Sequence, residues 1–222
     1  MSGEPAQAPV APAVLTDFPE LRLWTRAVTL PEPAGRRSAR GVRDHLKQLG
    51  QRLHGARAIQ QRTEPVVHAH RVFFRHVGLD PDADATRTPA EALTLQRLRD
   101  GGLLSRGPVA DALAIAVAET GVGVWALDAA HVRGEVELRE ARAGESMGRG
   151  EPASDAAPRR LVIADADGPV AVLFGDPVAP HAAGPGTAAV LLYAVQVPHV
   201  PQVHVDEALW LAASTLNPGL DA

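Results

Sequence analysis

Residues 108–119 read as an almost wholly apolar helix interrupted only by Asp111. A helix that is apolar nearly all round is buried, and a buried carboxylate must be paired or hydrogen-bonded. Asp111 therefore either holds the amino group of a substrate or binds backbone amides or an arginine such as Arg106 or Arg139. Thr187 can donate a hydrogen bond to an ester carbonyl or oxyanion, or be a strand-edge residue with no such work. Trp125 and Tyr193 can line a pocket for a side chain, stack on a planar base, or simply pack in the core. Asp128 and Asp165 stand at the ends of elements, where aspartate caps or turns the chain.

Other chemistry is excluded by what the chain lacks. With no cysteine there are no disulfides, thiol nucleophiles or cysteine-held metals. The nine histidines form no metal pattern. His68 and His70 are two apart on an expected helix, so their side chains diverge, and Pro201 separates His199 from His204. There is no phosphate-binding G-x-x-x-x-G-K-[ST] loop and no G-x-S-x-G elbow. No metal and no cofactor is expected. The net charge of −4 argues against nucleic-acid binding over the whole surface, yet the charge is uneven. Between Ala34 and Thr63 eight basic residues face only Asp44, and the acids gather at 135–167. Arg36, Arg40, Arg43 and Lys47 can hold phosphates, arginine offering a planar fork of donors; the other reading is a solvated helix face.

The elements that must position these residues follow from periodicity. At 222 residues and 45% hydrophobic, the chain has the size and composition of one domain, or of two lobes sharing a core. Residues 1–14, rich in Ala and Pro and without periodicity, are expected to be a disordered tail. A strand over 21–30 and a helix from Ser38 follow, the helix with Val42, Leu46, Leu49 and Leu53 on one buried face. Further helices are expected over 66–77, from Thr88 with a Thr-Pro-Ala-Glu capping box, and over 205–216. Strands are expected at 136–139, 161–165, 170–174 and 190–197, and low complexity at 148–158. This pattern predicts an α+β fold on an antiparallel or mixed sheet with helices packed on it. No apolar run is long enough to span a membrane, and no basic segment followed by a hydrophobic one opens the chain. A reducing cytoplasm is the expected location.

A family resemblance adds to this reading. Ala110-Asp111-Ala112-Leu113-Ala114, then Gly121 to Asp128 (G-V-G-V-W-A-L-D), Arg139, Gly144-Glu145, Val162-Ile163-Ala164-Asp165, Phe174-Gly175 and residues 187–193 fall in a telling order. It is similar to that of the tRNA-synthetase B3/B4 domain, the editing module of the phenylalanyl-tRNA synthetase beta subunit. There a helix with V-D-V-T-N precedes G-Q-P-x-H-A-F-D. The resemblance implies a B3/B4-like fold over 65–217, forming one globular unit with the strand and basic helix of 15–64. It implies tRNA or aminoacyl-tRNA as partner, rather than DNA or a membrane, with Asp111, Trp125, Arg139, Thr187 and Tyr193 at the substrate. Departures are equally clear: Leu113, Ala114, Trp125 and Tyr193 replace the family's threonine, asparagine, histidine and glutamate. An apolar side chain cannot orient water. The expectation is a tRNA or aminoacyl-tRNA binding protein, one form of which is an editing deacylase; the oligomeric state stays open. A module binding an amino acid or other small metabolite, or a catalytically silent interaction domain, is the alternative. The length leaves no room for a complete ligase.

Overall fold

The computed structural model describes residues 3–147 and 160–220; the low-complexity stretch at 148–158 lies outside them. Alternating residues make β2 (Arg22–Thr29) and β7 (Ala189–Gln196) the spine of the larger sheet. They pair antiparallel over their whole length, from Arg22 opposite Gln196 to Thr29 opposite Ala189. Strand β3 (Val124–Asp128) joins the other side of β7, and β1 (Ala6–Ala8) joins β2, giving the order β1-β2-β7-β3. A smaller antiparallel sheet holds β4 (Glu137–Glu140), β5 (Leu161–Asp165) and β6 (Gly168–Val172). The chain is thus α+β with antiparallel sheets.

Of the segment expected as a disordered tail, residues 3–14 are described, and they include a strand and the start of a helix. β1 pairs antiparallel with β2, and the Pro9 carbonyl and Ala11 amide bond the amide and carbonyl of Leu138, which joins this segment to β4. Helix α1 (Pro12–Asp17) then begins at a proline. An edge strand needs only its backbone groups to pair, so absence of side-chain periodicity did not reveal it. Strand β3 also escaped the pattern, because its first four residues are all buried and therefore do not alternate.

The other helices are α2 (Arg40–Arg52), α3 (Gly55–Gln60), α4 (Pro65–His76), α5 (Pro89–Asp100), α6 (Pro108–Thr120) and α7 (Gln202–Leu216). As its composition requires, α6 is enclosed: it packs against α7, α2, α5 and β3. The main core lies among the two sheets, α6 and α7, and a satellite cluster of Leu46, Leu49, Leu53, Leu103 and Ile115 seals α2 onto α6. Among the described residues, no helix is long and apolar enough to cross a membrane.

The capping box expected at α5 is used differently. Thr88 Oγ1 donates to Glu91 Oε2 at 2.7 Å, not to the backbone, and Glu91 Oε1 meets Arg71 Nη1 at 2.5 Å. Arg71 also reaches Asp82 at 2.7 Å. The Arg71 and Glu91 side chains are only 7% and 5% exposed, and removing one half of a buried pair leaves an uncompensated charge. Glu91→Ala should therefore cost about 3 kcal/mol, the low end of such losses because Asp82 remains; the urea unfolding midpoint measures it.

Candidate functional site

Between α5, α6, β3 and the turn after β6 lies a cleft of about 580 Å³. Leu113, Ala114 and Val117 of α6, Val124 and Trp125 of β3, and Phe174 form an apolar part of its lining, and Gln96 of α5 a polar part. Asp84, Arg87, Arg106 and Asp176 are the charged groups on its lining beside Asp111. Leu113 and Ala114 are half-buried, unlike most of α6, because their side of the helix faces this space.

Asp111 lines the cleft, yet its carboxylate is committed elsewhere. It sits in the first turn of α6, 2% exposed. Oδ2 accepts hydrogen bonds from Ser38 Oγ and Ser105 Oγ, both at 2.5 Å, and Oδ1 accepts from the Arg106 amide at 2.7 Å. Of the two sequence readings, the backbone-amide one matches this geometry, with two serine hydroxyls added. Gly107 assists the joint: at φ 113° it takes a backbone that side chains rarely adopt, and a Cβ there would lie 3.6 Å from the Arg36 carbonyl. The loop carrying Arg36 is thereby held against the loop entering α6.

Trp125 and Tyr193 come together through sheet register, as directly paired residues of β3 and β7. Their rings stack with centroids 5.6 Å apart. The Trp125 ring also crosses the space above Gly123, where a Cβ would fall 2.5 Å from Trp125 Cη2 and 2.7 Å from Pro89 Cγ. Phe174 closes the other side. Its ring stacks on Phe74 of α4 at 4.5 Å and leans on Trp125 at 6.1 Å. It holds φ at 61°, in the left-handed region where a bulky residue is strained. Tyr193 lies behind Trp125, not on the cleft lining, and is 1% exposed.

Arg139 and Thr187 are also absent from the cleft lining. Arg139, on β4, forks onto Glu145 with both bonds at 2.7 Å and pairs with Glu137 through Nε at 2.9 Å. That bond from Arg139, together with the Arg142 amide, holds the Glu145 carboxyl below the usual glutamate value. Thr187 Oγ1 donates to Asp128 Oδ2 at 2.8 Å and accepts from the Gly184 amide at 3.1 Å, so its hydroxyl is committed. Asp128 also takes the Ala130 amide, and Asp165 takes those of Arg133, Asp167 and Gly168, the turn-forming use of aspartate. His68 is exposed while His70 is buried, its Nδ1 bonded to the Val66 carbonyl. No group of three or more metal-ligating side chains occurs among the described residues.

On α2, Arg40 and Lys47 are exposed and Arg43 is half-buried, with Arg36 exposed in the preceding loop. Arg40 is paired only loosely with Asp44, at 3.6 Å. Arg52, at the far end, forks onto Glu119 of α6 at 3.1 and 2.9 Å. Phe174 and Asp176 are site residues that motif reasoning did not assign. An aromatic residue ahead of a loop glycine was the only trace they left in the sequence.

Fold and cleft together define an α+β protein with a cleft of mixed apolar and charged lining, joined through Asp111 and Ser38 to the start of a basic helix. No model of a known protein family matches the chain. It is 29% identical over 182 residues to the phenylalanine–tRNA ligase beta subunit of Chromobacterium violaceum. That match takes in 76% of this chain and 22% of the other, so the chain spans about a fifth of the length of the curated relative it matches. It supports a distant relationship to that family.

Two outcomes follow from the committed carboxylates. Asp111→Ala leaves two hydroxyls and an amide without their acceptor, and should cost about 3 kcal/mol in the ligand-free protein, judged by hydrogen bonds to a buried charge; thermal melts measure this. Glu145 titrates lower in the folded chain than in the unfolded one. Its pair with Arg139 therefore contributes stability above the unfolded value near pH 4.5 and loses it as pH falls through the folded value. Arg139→Gln should flatten the loss of stability below pH 4.5, seen in acid unfolding followed by circular dichroism.

Proposed function

We propose that this protein binds the aminoacylated end of a tRNA in the manner of a B3/B4 editing module, with the amino acid in the cleft and backbone phosphates on α2. The observation that carries this reading is the bond between Ser38 and Asp111, which sets the start of a basic helix against the rim of an apolar cleft. An apolar pocket suits a side chain, and exposed arginines beside it suit the phosphates of whatever carries that side chain. The distant relative is named as a ligase of phenylalanine and tRNA, which agrees with such a ligand.

Leu113, Ala114, Trp125 and Tyr193 stand where the editing family has its polar groups. None of them can orient water as those groups do, which favours binding over hydrolysis by the family's route. Any deacylation would draw on other side chains. Recognition of a free amino acid by the same cleft is the second reading, favoured by the apolar walls.

Binding of charged and uncharged tRNA across a salt series tests the proposal. Charged tRNA should bind more tightly, and Arg43→Glu with Lys47→Glu should lower the slope of log affinity against log salt by about 0.7–0.9 for each phosphate that the protein no longer neutralises. An unchanged slope would remove α2 from the interface. Release of the amino acid, followed in the same samples, distinguishes a hydrolase from a binding protein.

A further inference from the structure

The charged groups at the cleft are unequal in what they have left to offer. Asp84 is tied to Arg87 at 2.7 Å and Arg99 at 3.1 Å, Arg106 reaches Asp100 at 3.3 Å, and Asp111 is taken up by three donors. Asp176 is exposed on the lining and has no hydrogen-bond or ion-pair partner among the described residues. It is the carboxylate available to a cation from outside.

A second group awaits a partner. The Tyr193 hydroxyl is buried and makes no hydrogen bond, an arrangement that costs free energy and calls for a reason. Burial first, and the nearby charge of Asp176 second, push this phenol well above its ordinary range, so it remains a neutral donor. The Trp125 ring stacks on Tyr193, and that ring, with Phe174 beside it, lines the cleft. Phe174 keeps this wall shut from a strained backbone, and such strain concentrates at ligand clamps. A polar side chain enclosed among Leu113, Trp125 and Phe174 would lose water and gain no charged or amide partner from them.

We propose that the cleft selects an α-aminoacyl group with an apolar side chain, pairing its ammonium with Asp176 and enclosing its side chain against Leu113, Trp125 and Phe174, while Phe174 and Trp125 shift to let the Tyr193 hydroxyl donate to the ligand. This rests on the aminoacyl reading of the cleft, but needs no tRNA contact.

Three small probes test it on the full chain by calorimetry: the amide of leucine with 3′-amino-3′-deoxyadenosine, the same amide of the 2-hydroxy analogue of leucine, and the lysine amide. The leucine amide should bind. The hydroxy analogue, lacking the ammonium, should bind about fivefold more weakly, the scale of an exposed ion pair, and the lysine amide more weakly still. Asp176→Asn should erase the difference between the leucine and hydroxy probes. Tyr193→Phe should raise the melting temperature of the free protein, by removing an unsatisfied hydroxyl, and weaken the leucine amide about fivefold, the scale of one hydrogen bond. Absence of binding by the leucine amide overturns the proposal. So does equal binding of the hydroxy analogue, a difference that survives Asp176→Asn, or a lower melting temperature in Tyr193→Phe. The probes carry no phosphates, so the two readings fail separately. Lost probe selectivity with an intact tRNA salt slope removes this inference alone, and a lost slope with intact selectivity removes only the tRNA reading.

Discussion

A charge at the start of a buried helix is the constraint from which the arrangement of this protein follows. Helix α6 has neighbours on nearly every side, and Asp111, only 2% exposed at the edge of the cleft, must be satisfied by donors from the protein. It finds them in two loops, at Ser38 and at Ser105 with the Arg106 amide, and its place in the first turn sets it at the positive end of the helix. At the other end Arg52 grips Glu119. The starts of α2 and α6 are thus joined, and so are their ends, which makes the two helices run in the same direction. With its leucines turned inward, α2 leaves Arg40 and Lys47 exposed and Arg43 half-buried.

Several residues that look chemical in the sequence commit their polar atoms to the fold. Thr187 and Asp128 tie the loop before β7 to the end of β3, and Arg139 and Glu145 brace the turn after β4. Each satisfied pair lets a loop be short and fixed without an apolar core of its own. What remains uncommitted is correspondingly informative. Asp176 lines the cleft and the Tyr193 hydroxyl lies behind Trp125, and neither has a hydrogen-bond partner among the described residues.

Local pattern was enough to read α2, α6, α7, β2 and β5, because each buries one stripe or one whole length of side chains and needs no distant partner to be recognised. Strands β1 and β3 were not legible, one being held through its backbone and the other buried on both faces. Within the site, the burial of Asp111 could be read from its apolar neighbours. Its donors could not, since Ser38 lies 73 residues away and nothing local announces it. The Trp125–Tyr193 stack depends on the register of β3 against β7, and the position of Phe174 depends on a turn whose backbone departs from the common regions. Long-range pairing and local strain are both invisible to periodicity.

The space above Gly123 also sets which pairs of side chains this wall can accept. The editing family that this chain resembles has proline and histidine where Gly123 and Trp125 stand. A proline Cβ at position 123 would collide with the indole ring of Trp125. The two positions are therefore sterically coupled: the indole fits only over a residue without a Cβ, and a side chain at 123 fits only where the ring has moved. A Cβ added at position 123 while Trp125 keeps its place would push the indole out of the wall that it forms.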